Sequence, residues 1–194
     1  MGENSVDQEL VKRVQNGDKK AFDVLVLKYQ NKITNLVSRF VKDHSEAQDV
    51  AQEAFLKAYR ALPKFRGESA FYTWLYRIAI NTAKNYLVAQ NRRPPSDDID
   101  AVEAEQYVGA SMNNLETPER LLQTDEITKT IHSVIQELPE DLRTAIILRE
   151  FEGMSYEEIA QAMSCPVGTV RSRIFRAREA IDQELRPLLE SSKL

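Results

Sequence analysis

A guanidinium fork, a hydroxyl and an apolar ring fall within five residues of one another at Arg171, Ser172 and Phe175. Those are the groups that read guanine edges and thymine methyls in the major groove of a duplex. Arg173, Arg176 and Arg178 stand beside them, with no acidic residue between Pro166 and Arg178. Flanking arginines suit phosphates, which position a protein on DNA without specifying a sequence. The chemistry is recognition rather than catalysis.

The surrounding residues supply the elements that such groups need. Ser155 with Glu158 three residues on is a capping box, which satisfies orphan N–H groups at a helix start. Ile159, Ala160 and Met163 then form the inward stripe of about two helical turns. Ser164 and Cys165 break that helix, and Pro166 suits the opening of the next one. On the second helix Val170, Ile174, Ala177 and Ile181 share one narrow sector, and Gly168, Arg171, Ser172 and Phe175 lie nearly opposite. Residues 155–178 therefore read as a helix-turn-helix with a basic recognition helix. The plainer alternative, a surface helix with solvated arginines, requires the capped helix, the turn and the basic face to coincide by accident. Cys165 reads as a small turn residue, with a redox switch as the sharper alternative, since a thiol at a helix start can have a lowered pKa.

A second constellation lies in the N-terminal half. Phe65, Phe71, Tyr72, Trp74 and Tyr76 place five of the fifteen aromatic residues within twelve positions. Lys64, Arg66 and Arg77 are interleaved with them, and Asn81 and Lys84 follow. Aromatic rings mixed with cations suit single-stranded nucleic acid, because every base has a π-face and every nucleotide a charge. Phe71, Leu75, Ile78 and Ala79 share a face and read as core, while Trp74 borders it. Tyr72, Tyr76, Asn81 and Lys84 lie away from that face and are the better binding candidates. Phe65 and Arg66, beside Gly67, sit in a loop suited to an extruded base.

The elements around this loop are helical. Ser5 with Gln8 caps a first helix, Asn16-Gly17 stops it, and Asp18 caps a long second one. The apolar stripe of the second is Phe22, Leu25, Val26, Tyr29, Ile33, Leu36, Val37 and Phe40. Ser45 with Gln48 opens a third, which buries Ala47, Val50, Ala51, Ala54, Phe55, Ala58 and Leu62. Its other face shows Asp49, Gln52, Glu53, Lys57 and Arg60. A fourth runs through about Ala89. No run alternates in steps of two, so the fold expected is all-α.

The net charge of −4 conceals an uneven distribution. Residues 1–93 hold 16 Lys and Arg against 10 Asp and Glu, residues 94–126 hold 1 against 9, and residues 127–194 hold 9 against 11. Two small helical domains, 1–92 and 121–194, joined by an acidic flexible linker at 93–120, fit that pattern. One cysteine excludes a disulfide framework or a cysteine-rich zinc site. No signal peptide and no apolar run near membrane-span length is present, which implies a cytoplasmic chain. His44 and His132 lie far apart and read as solvated, and the acids pattern as helix surface. We therefore expect no enzyme, no catalytic residue, no metal and no cofactor.

With both constellations in view, the sequence resembles the extracytoplasmic-function sigma factors of bacterial RNA polymerase, closely the sigma-E type. The resemblance rests on Asp49-Val-Ala-Gln-Glu-Ala-Phe55, Phe65-Arg-Gly67, the run from Phe71 to Lys84, Leu138-Pro-Glu-Asp-Leu-Arg143 and the helix-turn-helix. It covers about 10–90 and 120–185. It implies sigma domain 2 at the N-terminus and sigma domain 4 at the C-terminus. The helix of Asp49, Gln52, Glu53 and Lys57 would bind the β′ clamp helices of the polymerase core, whose β subunit is also a partner. The loop 65–69 and the fourth helix would melt and hold the −10 element as single strand, through Phe65, Arg66, Gly67, Tyr72, Tyr76, Asn81 and Lys84. Gly168, Arg171, Ser172, Phe175, Arg176 and Arg178 would read the −35 duplex. The linker would thread toward the polymerase active-site and RNA-exit channels. The resemblance further implies an envelope-stress-type regulon and a membrane-anchored anti-sigma factor that sequesters the chain at the inner membrane.

Two other readings compete. A helix-turn-helix regulator independent of polymerase core would leave the aromatic cluster without a role. An enzyme acting on DNA, such as a recombinase, needs a catalytic cluster that the sequence does not contain.

Overall fold

The computed structural model describes residues 3–92 and 118–191, and each regular element within them is helical. The chain divides into two compact units. The first holds α1 (Glu3–Gln15), α2 (Lys19–Ser38), α3 (His44–Ala61), a 3₁₀ turn (Leu62–Lys64) and α4 (Phe71–Asn91). The C-terminal half holds α5 (Pro118–Glu137), α6 (Glu140–Glu150), α7 (Tyr156–Met163) and α8 (Val167–Ser191). Most of the acidic linker expected at 93–120 lies outside the described residues.

Helix ends in the first unit follow from short polar side chains. Gly17 adopts φ +97°, a left-handed reversal that glycine takes at little cost, and α1 ends just before it. Asp18 Oδ1 then accepts the Ala21 N–H at 3.3 Å and caps α2. Two expected caps are corrected. α1 already runs at Glu3, so Ser5 and Gln8 stand inside it. α3 is capped by Asp43, which accepts the Glu46 N–H at 2.8 Å, and not by Ser45. An anionic acceptor at a helix start also gains from the helix dipole. Gln48 instead meets the His44 ring at 3.0 Å.

The core of this unit is the expected stripe of α2 packed on α3 and α4. Leu25, Ile33, Leu36, Val37, Leu62, Phe71 and Leu75 are fully buried, each contributing roughly 1.5–3 kcal/mol. α1 adds a polar anchor that sequence reading did not find. Buried Asp7 accepts from Lys28 Nζ at 2.7 Å and from the Tyr29 hydroxyl at 2.5 Å, fixing α1 to α2.

In the second unit α8 packs on α5 and α6. Ile146, Ile147, Leu148, Ile159 and Ile174 fill the core. The Leu138–Arg143 motif has a structural role here. Arg143 Nη2 donates to the carbonyls of Gln136 and, at 3.0 Å, Leu138, closing the C-terminal end of α5. Burial lowers the Arg143 pKa from its ordinary value.

Candidate nucleic-acid interfaces

In the first unit, the outer face of α3 carries Asp49, Gln52 and Glu53, all exposed, and half-buried Lys57. Lys57 Nζ pairs with Glu53 at 2.8 Å, the i,i+4 arrangement that links neighbouring helical turns. Leu56, 57 % exposed, sits three and four residues beyond Glu53 and Gln52. Sequence reading passed over it, although an apolar residue outside the buried stripe was the available signal.

The loop between α3 and α4 is held more firmly than its composition suggests. The half-buried Phe65 ring lies 4.8 Å from Trp74 and edge-on to Phe71 at 6.3 Å. Gly67 takes φ +74°, which turns the chain back toward α4. Gln15, at the end of α1, donates Nε2 hydrogens to the Leu62 carbonyl at 3.0 Å and the Phe65 carbonyl at 2.9 Å. Arg66 and Gly67 are left exposed.

On α4 the expectation is partly corrected. Asn81 is exposed, and Tyr72 and Lys84 are half-buried. Tyr76, expected on the open side, is 4 % exposed, and Trp74, at the border, is 8 % exposed. α4 packs against α3, α2 and α1 at once, so its buried sector is wider than one face. Tyr76 now stands edge-on beneath Tyr72, ring centroids 6.3 Å apart, and offers no open stacking face.

In the C-terminal half of the chain the helix-turn-helix forms as its residues require. Ser155 Oγ accepts the Glu158 N–H at 3.2 Å, and Glu158 Oε2 accepts the Ser155 N–H at 2.8 Å. Ser164 takes φ 52° in the turn, and the Pro166 carbonyl accepts the Thr169 N–H at 2.9 Å as α8 begins. Val170, Ile174 and Ala177 are buried, while Ile181 is half-buried. Gly168, Arg171, Ser172, Phe175, Arg176 and Arg178 are all exposed, with Phe175 at 67 %. That is an unusual degree of exposure for a phenylalanine, and it leaves the ring free to meet an apolar partner.

The flanking arginines divide into distinct roles. Arg173 is only 22 % exposed on its side chain, is ion-paired to Asp141 and lies 3.3 Å from Cys165 Sγ. It braces the unit and, unlike the free arm expected, is already engaged by Asp141. Arg178 Nη2 and Nε meet Glu150 Oε1 at 2.5 and 3.1 Å, and that carboxylate raises the Arg178 pKa above its ordinary value. Arg171 places its guanidinium 5.7 Å from the centre of the Tyr156 ring. Arg149 approaches the same ring at 4.8 Å and donates to the Met154 carbonyl at 2.8 Å. Tyr156 thus joins the recognition helix to the helix before it, an association that sequence reading missed.

A family model described as Sigma-70 region 2 matches residues 25–93, and one described as Sigma-70, region 4 matches residues 128–181. The chain is 68 % identical over 187 residues to the RNA polymerase sigma-H factor of Pseudomonas aeruginosa, covering 96 % of this chain and 97 % of that one. It is 61 % identical over 190 residues to the ECF RNA polymerase sigma-E factor of Escherichia coli K12, covering 97 % and 99 %. The sigma factor RpoE, solved in complex with the anti-sigma factor NepR from Bartonella quintana, shares the fold. Its TM-score is 0.66 at 24 % identity, over 86 % of this chain and 98 % of that one. The chain belongs to the extracytoplasmic-function sigma factors of RNA polymerase, and within them to the sigma-E type.

Proposed function

We propose that this sigma factor binds polymerase core through the outer face of α3 and reads its promoters at two separate elements. Residues 1–92 act as sigma domain 2 and residues 121–194 as sigma domain 4. Asp49, Gln52, Glu53 and Lys57 meet the β′ clamp helices. Leu56 adds the apolar contact at the centre that an interface of charges alone lacks. Arg171, Ser172 and Phe175 read base edges of the −35 duplex from Gly168 onward, while Arg176 and Arg178 approach phosphates. Phe65, Arg66, Gly67, Tyr72, Asn81 and Lys84 hold the −10 element as single strand, with Tyr76 supporting Tyr72 from below. The chain itself performs no bond-breaking step, and initiation chemistry belongs to the polymerase. Its partners are then core polymerase, promoter DNA and a membrane-anchored anti-sigma factor that sequesters it at the inner membrane until an envelope-type stress.

The observation that carries this reading is the open face of α8, where a guanidinium, a hydroxyl and a ring stand exposed above a fully buried Val170–Ile174–Ala177 seam. Helices so built present side chains to a major groove without rearrangement. The test is transcription by the purified chain plus core polymerase from a promoter that neither uses alone. Reversal of charge at Asp49 and Glu53 should abolish holoenzyme assembly while −35 duplex binding persists. Unaltered assembly would remove the α3 assignment, and promoter-specific DNA binding with no core association would favour a polymerase-independent regulator.

A further inference from the structure

We infer that Gln15 is a positioning residue for −10 strand capture, acting through the loop that carries Phe65, Arg66 and Gly67; this rests on the promoter reading of that loop given above. A primary amide has two N–H donors, and Gln15 directs Nε2 at two carbonyls, Leu62 at 3.0 Å and Phe65 at 2.9 Å. Those carbonyls bracket the 3₁₀ turn. The Phe65 N–H also donates to the Leu62 carbonyl at 3.0 Å, so both ends of the turn converge on one side chain.

The anchor on the other side is firm. Leu10 and Val11 bury α1 in the first unit, and buried Asp7 ties it to α2. The chain just past Gln15 is pinned by the Gly17 N–H to the Val14 carbonyl at 2.9 Å and by the Arg13–Asp18 ion pair at 2.7 Å. Leu62 is itself fully buried, so the bond to its carbonyl joins two fixed points. The bond to the Phe65 carbonyl fixes the peptide plane from which Arg66 departs, one residue before the left-handed Gly67. That plane sets the direction of Arg66 and the seat of the Phe65 ring against Trp74.

Core packing does not account for Gln15, which is exposed. It also lies outside residues 25–93, where the region 2 match falls. Both acceptors are main-chain atoms, so the device depends on the amide and on no complementary side chain. A loop held in its binding conformation spares the bound state the cost of ordering it.

The experiment uses the full chain assembled with core polymerase on the promoter that passes the transcription test. Binding of a labelled single-stranded DNA carrying the −10 sequence is measured beside −35 duplex binding and the melting temperature. Gln15→Ala should weaken strand binding about fivefold to tenfold, roughly the value of one net hydrogen bond. Duplex binding should not change, and the melting temperature should fall by no more than the few degrees that one net hydrogen bond is worth. Gln15→Glu, which can accept but not donate, should lose at least as much. Unchanged strand binding in both variants overturns the inference, as does a loss of duplex binding or a fall in melting temperature well beyond a few degrees, which marks a fold residue. Arg66→Ala separates the two levels of the reading. If it leaves strand binding intact, the assignment of the loop has failed, and if it weakens binding while Gln15→Ala does not, only the role of Gln15 has failed.

Discussion

Tyr156 should set the base preference of Arg171 without touching that base. The guanidinium lies 5.7 Å from the ring centre, inside the roughly 6 Å range of a cation–π interaction, and Arg149 holds the same ring at 4.8 Å. At an exposed site such a contact is worth about 0.5–1 kcal/mol. Arg171 is exposed and long, and fixing such a side chain on binding costs about 0.5–1.5 kcal/mol. The ring therefore offsets much of the ordering cost before DNA arrives. We expect Arg171→Ala to cost about 1–3 kcal/mol, concentrated at one or two −35 base pairs. Tyr156→Leu should cost about 0.5–1 kcal/mol at the same base pairs, and Tyr156→Phe should cost little. In the double variant the two effects should fail to add by about 0.5 kcal/mol or more, because residues in contact couple. The assay is anisotropy titration at fixed salt against duplexes altered one −35 base pair at a time. Additive effects, or a Tyr156→Leu loss spread evenly over all duplexes, would refute the reasoning. A Tyr156→Phe loss as large as that of Tyr156→Leu would instead assign the contribution to the hydroxyl.

Glu150→Gln removes the carboxylate that holds Arg178 at 2.5 Å and frees a cation beside the recognition face. Duplex affinity should rise at low salt and its dependence on log salt should steepen by about 0.9; an unchanged slope means Arg178 meets no phosphate. Tyr29→Phe deletes the buried hydroxyl that donates to Asp7 at 2.5 Å, a hydrogen bond to a charged group worth about 1.5–3 kcal/mol, which urea unfolding of the chain should detect. A loss under about 0.5 kcal/mol would make the Asp7 network neutral in net terms. Asp18 has its carboxyl pKa lowered below the ordinary 3.8, chiefly by the Arg13 hydrogen bond. A depressed carboxylate stabilises the fold above its unfolded pKa and loses that contribution as pH falls through the folded pKa. Arg13→Ala should move the NMR titration of Asp18 upward, and an unmoved titration would assign the shift to the backbone N–H groups that also point at it.

The helix-turn-helix was legible because its information is local. Ser155 and Glu158 cap a helix within one turn, and Val170, Ile174 and Ala177 repeat at the helical period. What escaped the sequence is non-local. The partners of Arg173 and Arg178, Asp141 and Glu150, stand 32 and 28 residues away, and nothing in the arginine run foretells them. Gln15 reaches across 47 and 50 residues to main-chain carbonyls, which leave no mark in composition. Asp43 and Ser45 are both good caps, and only the extended backbone at Asp43 chooses between them. Tyr76 failed for a different reason. A helical wheel offers one buried face, whereas α4 is packed by three neighbours.

That packing limits how the first unit would hold the single strand proposed for it. Base stacking is worth about 1–3 kcal/mol per base, but only on a ring with an open face. Of the five aromatics between 65 and 76, Phe71, Trp74 and Tyr76 are buried, and Phe65 and Tyr72 are half-buried. At most one or two bases can gain from stacking there while the core stays packed. The remaining affinity must come from groups that stand out of the core, Arg66 in the loop and Asn81 on α4, through charge and directional hydrogen bonds. Such bonds depend on geometry far more than stacking does, since they weaken steeply with misalignment. A strand reader of this kind requires its loop to be held rigid, and on the proposed reading the aromatic cluster serves mainly as the floor that holds it. α8 faces no such constraint, because its readers project from a helix whose seam is buried along Val170, Ile174 and Ala177. Substitutions in the aromatic floor should therefore disturb strand capture through loop geometry, whereas those on the face of α8 act on the bases they meet.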